Sequence, residues 1–226
     1  MEPCKALHKE SRAERPSDQG PDDSLRDESN VSGAWLPSLI VTSPCVVNTP
    51  SSIAQVGEAL FVSAHSTTKS TVLDADFLKS LHIEGDANRV FRELLILRFY
   101  AIMKGVEGCR MPAESKTDLL DCVHAVFFRW LREQLGCTES EVDSVKAILG
   151  KRYRAYEDAY NHIVHNRPLA AGEVLLDSLR DILAPDLSAE DVFDLLPLHS
   201  MFSRLLLTFS DAVRKSLSEA GVAALD

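Results

Sequence analysis

The sequence predicts an all-α fold: a single helical bundle of six to eight helices, preceded by a disordered N-terminal tail and a proline-interrupted extended strap. Three observations lead there. After residue 50, apolar residues recur at intervals of three and four in segment after segment, which is the spacing of one helix face. Cap residues and glycine or proline stops punctuate that pattern at helical lengths. No segment alternates apolar and polar residues between turn signals, and no fixed-length repeat appears, so neither strands nor a solenoid is predicted.

Residues 1–33 hold eight acids and five bases with almost no aliphatic side chains. Such a stretch cannot bury enough apolar surface to offset its ordering entropy, so it reads as a disordered acidic tail. Residues 34–50, "AWLPSLIVTSPCVVNTP", are apolar but broken by prolines at 37, 44 and 50. That excludes a long helix and suggests an extended strap. Residues 51–226 form the all-helical domain.

Within it, Thr49-Pro50 reads as an N-cap followed by Pro at the first helical position, opening "SSIAQVGEALFVSAH". "DADFLKSLHI" is a short helix closed by Gly85, and Asp86 caps the next, which ends at Gly105 or Gly108. A further helix runs from Pro112 to Gly136, where glycine supplies the stop. Thr138 and Glu141 form a capping box for a long helix reaching His165. Pro168 begins "PLAAGEVLLDSLRDILAP"; Ser188 to Asp191 cap a short helix, and Pro197 opens the last.

The helix around residues 90–104 is apolar on every side, so it should be central. Arg98 inside it must then reach an acid or the surface, because a buried unpaired guanidinium is very costly. The helix at 113–135 shows one broad apolar face through Leu119, Val123, Phe127, Trp130 and Leu131.

Charge and composition narrow the function classes. A formal net charge of −10 argues against nucleic acid, whose phosphates call for clustered Lys and Arg. The five cysteines form no CxxC pair and read as reduced thiols of a cytoplasmic protein. The N-terminus lacks the apolar stretch of a signal peptide, and the run Leu94–Met103 is about half a membrane span. No transmembrane segment is expected.

Catalytic motifs are thin. There is no G-x-S-x-G, HExxH, GxGxxG or GxxxxGK[ST]. Ser66-Thr67-Thr68-Lys69 matches S-x-x-K, in what reads as a Ser/Thr-rich loop, without its companion motifs. No cofactor is implied. The one histidine pair, His162 and His165, sits at i, i+3 near Asp158. At about 100° per residue these three lie roughly 130–190° from the apolar stripe Val142, Val145, Leu149, Tyr153, Tyr156, Tyr160, Ile163, on the outward face. Lys151, Arg152 and Arg154 read as surface cations beside core-facing tyrosines. Asp121 with His124 is the nearest approach to a ferritin-type Glu-x-x-His, and His124 falls at the edge of its helix's apolar face.

With no catalytic constellation, the leading expectation is a non-catalytic interaction or scaffold module that binds a protein partner or itself. The alternatives are a metal-dependent enzyme or metal-binding protein using His162, His165, Asp158, Asp121 and His124, or a small-molecule sensor with an apolar pocket.

Overall fold

A computed structural model describes residues 52–221; the tail, the strap and the Thr49-Pro50 cap lie outside the described residues. The described residues form seven helices: α1 (Ile53–Val72), α2 (Ala75–Ser80), α3 (Ala87–Glu107), α4 (Ala113–Leu135), α5 (Glu139–Val164), α6 (Pro168–Leu179) and α7 (Val192–Glu219).

Local chemistry accounts for their ends. Ser52 and Gln55 close a capping box on α1, and Thr138 and Glu141 close another on α5. Asp86 accepts from the amides of Asn88 and Arg89 at the start of α3, satisfying donors that the first turn leaves open. Gly136 ends α4 at φ 68°, a left-handed conformation that costs glycine nothing. Asn166, at φ 55°, makes the tight turn between α5 and α6.

Helix α3 is the axle. Its residues from Val90 to Ile102 are all buried, as the all-round apolar pattern requires. It packs against α1, α4, α5 and α7, while α4 packs on α1 and α6 on both α5 and α7. Close approach is bought with small residues: a Cβ on Gly105 would sit 2.9 Å from Val213, and one on Gly172 would sit 2.8 Å from Leu195. Between α2 and α3 the chain meets the segment after α6 in one antiparallel bridge, Ile83 with Leu183. Glu84 and Gly85 donate to the Ile182 carbonyl at 3.0 and 3.1 Å, and Ala184 donates to that of His82 at 2.7 Å. This clasp is the extended pairing found among the described residues.

Three boundaries differ from expectation. Helix α1 continues seven residues past His65, so Ser66–Lys69 is helical and no loop. The hydroxyls of Thr67, Thr68 and Thr71 donate back to the carbonyls four residues earlier, which lets a Ser/Thr-rich stretch stay helical. Helix α6 stops at Leu179, and Ile182 to Ala184 form the clasp instead. Finally, Pro197 opens nothing: it lies inside α7, which starts at Val192 on the Asp191 cap. Its ring removes the amide that would pair with the Phe193 carbonyl, and Phe193 is 83% exposed, so water can take that acceptor.

Candidate functional site

The sequence-predicted site residues fall into two places. On α5, Asp158 and His165 are exposed and His162 is half-buried. His162 is less outward than its wheel position implies, and the Arg167 amide donates to its carbonyl at 2.8 Å. His162 Nε2 lies 3.7 Å from Asp158 Oδ1, and His165 Nδ1 donates to the Asn161 carbonyl at 2.7 Å. On α4, Asp121 is exposed, whereas His124 is hydrogen-bonded at both nitrogens, 2.8 Å from the Leu120 carbonyl and 2.8 Å from the Tyr153 hydroxyl. Nδ1–H therefore donates to Leu120, and Nε2 accepts from Tyr153. Burial lowers the His124 pKa below its ordinary value. Among the described residues, no three His, Cys, Asp or Glu side chains gather as a metal site requires.

Sequence reasoning missed the densest polar clusters. Glu93 on α3 is fully buried between Arg92 and Arg152. Arg92 donates to Oε1 from Nε at 3.1 Å and from the guanidinium end at 2.9 Å; Arg152 reaches Oε2 at 2.8 Å and Oε1 at 3.3 Å. Arg152 is thus a buried partner of α3, correcting its assignment to the surface. Asp181 stands 4.0 Å from Arg152 and balances the second cation. Arg98 corrects another expectation: among the described residues it reaches two hydroxyls, Thr68 at 2.8 Å and Thr71 at 2.7 Å, and no acid. Burial pushes its pKa down to about 10, so it stays charged at neutral pH. A third cluster joins Tyr100, Lys104 and Glu157, with the Lys104 ammonium 2.6 Å from the carboxylate and 5.0 Å above the Tyr160 ring. These groups bind one another and tie α3 to α1 and α5. They present no paired nucleophile and base.

The surface is more informative. Phe193 is 83% exposed, Leu207 57% and Leu196 39%, all on α7. With the exposed Ser200 they occupy positions 193, 196, 200 and 207, whereas the Ser203 hydroxyl beside them is buried. That line runs along one side of the helix, away from the buried residues Leu198, Phe202, Leu206 and Val213. Elsewhere α1 and α7 enclose a shallow groove of about 180 Å³, walled by Gln55, Ala59, Ser63, Phe209, Ala212 and Ser216. Sites for drug-sized molecules run to about 300–1,000 Å³, and this groove is smaller than that range. Helix α7 is also long and apolar enough to cross a membrane by length and composition, a test that core helices pass as well.

No protein-family model matches the chain, and comparison with curated proteins and with solved structures yields no match either.

Proposed function

We propose that this protein is a non-catalytic interaction module whose outer α7 face docks a protein partner. The observation that carries it is the line of exposed side chains from Phe193 through Leu196 to Leu207. Single exposed leucines are ordinary, but large apolar groups repeated along one helix line mark contact surfaces. An amphipathic face of this kind fits helix-in-groove or helix-on-helix recognition. The buried polar groups support the same reading, since Glu93, Arg98, Arg152 and His124 are committed to partners within the fold.

Site-specific photo-crosslinking tests it. A photoreactive residue at Leu207 should trap a discrete protein partner, and Phe193→Glu should abolish the adduct. The same residue at Leu73, 73% exposed at the end of α1, should trap none. Equal labelling at both positions, or no adduct at Leu207, would overturn the reading.

A further inference from the structure

We infer that the groove between α1 and α7 seats this chain's own residues 34–50, folded back from the start of α1. The groove is a gap left by the packing: α1 and α7 both pack on α3, and among the described residues they make little contact with each other. Helix α1 lines it from Gln55 to Ser63, and α7 from Phe209 to Ser216. Val56 and Leu60 are buried beneath it, while Ala59 and Ala212 stand exposed at its sides. Side chains that small let another backbone approach closely. A volume of about 180 Å³ suits a side chain or two, less than a drug-sized ligand needs. None of the described groove residues is charged. At about 100° per residue, 209, 212 and 216 lie roughly 140–200° round α7 from Leu207. The groove is thus separate from the outer α7 face, and the inference goes beyond the role proposed for that face.

Position and composition single out the occupant. Ser52 caps α1 three residues before Gln55, so the preceding segment joins the domain at the mouth of the groove. Its seventeen residues include Trp35, Leu39, Ile40, Val41, Val46 and Val47, and no acid, base or histidine, in a chain that is 26% charged. An uncharged segment and an uncharged groove lose no ion hydration when they meet. Reach is sufficient. The groove's eight residues of α1 span about 12 Å, and the seven residues from Cys45 to Ser51 reach about 23 Å when extended. Asn48 and Pro50 are turn formers, placed where the chain must reverse to run back along α1. Val46 and Val47 then come level with Ala59. Prolines 37, 44 and 50 have no amide to satisfy, which suits a seat between helices whose backbone groups are already paired. A segment tethered so near acts at an effective concentration on the order of millimolar, so a contact of one or two side chains holds it. Filled in this way, the groove is closed to other apolar ligands unless they displace residues 34–50.

The experiment uses the full chain with Cys4→Ser and Cys122→Ser, and the native Cys45 as reporter. Ala59→Cys should form a disulfide with Cys45 inside one chain under mild oxidation, located by peptide mapping of the monomer. Glu58→Cys lies as near to Ser52 but off the groove, and should link to Cys45 at least about tenfold less. Ala212→Asp puts a charge in the opposite wall. It should cut the link from Cys45 to position 59 by a similar factor with an unchanged circular dichroism spectrum. In the otherwise native chain, Ala212→Asp should also speed thermolysin cleavage at Val46 and Val47 by about tenfold, since cutting tracks the open population. Equal linking at 58 and 59, or linking and cleavage that both ignore Ala212→Asp, overturns the inference. A link found only between two chains overturns it as well, and assigns the groove to the same segment of a second copy.

Discussion

Arg152 on α5 donates to Glu93 on α3 at 2.8 Å, with both side chains sealed from solvent. The carboxylate holds two guanidinium groups, and the consequences of removing each partner are unequal. Glu93→Gln removes the carboxylate that two buried guanidinium groups share, with Asp181 still 4.0 Å from Arg152, whereas Arg152→Met leaves Glu93 still bonded to Arg92. Breaking a buried pair costs about 3–5 kcal/mol. Urea unfolding should place Glu93→Gln at the top of that range and Arg152→Met at or below its foot. The reverse order would show that Arg92 does not hold Glu93.

Tyr156 offers the opposite case. Its ring is fully buried against Tyr100 and Phe202, yet its hydroxyl has no hydrogen-bond partner among the described residues. A buried unsatisfied hydroxyl carries a desolvation cost of about 1–3 kcal/mol. Tyr156→Phe should therefore be neutral or stabilising by up to about 1 kcal/mol, while Tyr156→Ala should lose about 3–5 kcal/mol to the cavity. Thermal melts of the two variants separate these effects.

His65 makes stability depend on pH. It is buried among Phe61, Phe91 and Trp130, and burial, assisted by the charge of Lys69, pushes its pKa down to about 4 from 6.5. Between those values the unfolded chain takes up a proton that the folded one refuses. Stability from His65 is therefore complete above pH 6.5 and declines as the pH falls toward 4. The loss should amount to roughly 1–3 kcal/mol. Denaturation midpoints at pH 7 and pH 5 should differ in the wild type, and the difference should shrink in His65→Phe. An unchanged difference would assign the effect to other groups, such as His124 or His199.

Gly172 is a steric contact. An added methyl would lie 2.8 Å from both the Cβ and the carbonyl oxygen of Leu195, and that oxygen belongs to backbone. Gly172→Ala should cost about 1–3 kcal/mol through displacement of α7 from α6, despite alanine's better helix propensity. Gly150→Ala, whose nearest neighbour is 3.8 Å away at the end of the flexible Arg154 side chain, should instead stabilise by up to about 1 kcal/mol. Comparing the two melts isolates packing from propensity.

The parts readable in the sequence were those governed by local rules. The Thr138–Glu141 capping box, the stop at Gly136 and the all-round apolar character of α3 depend on residues within a few positions of one another, and they are where expected. Arg152 was misread because its partner is 59 residues away, and a wheel that ranks side chains by hydropathy places every arginine outside. Arg98 was misread for a related reason: its hydroxyl partners sit in a stretch whose composition resembles a loop. The exposed line on α7 stayed hidden for another reason. Taking Pro197 as a helix start cut Phe193 and Leu196 away from Leu207, so their common line could not be drawn. None of the histidine candidates revealed itself by spacing alone, since what decides their chemistry is a third ligand from elsewhere in the fold.

The clasp between Ile83 and Leu183 joins positions 100 residues apart. Contacts that distant close only after most of the intervening chain has collapsed, since loop entropy must first be overcome. The clasp therefore belongs to the late, native side of the folding barrier, whereas the α1–α4 and α5–α6 contacts can form early. Gly85 sits where a Cβ would meet the Ile182 backbone at 2.7 Å. Gly85→Ala should leave the refolding rate nearly unchanged and accelerate unfolding, so the clasp governs how long the native state lasts once it has formed.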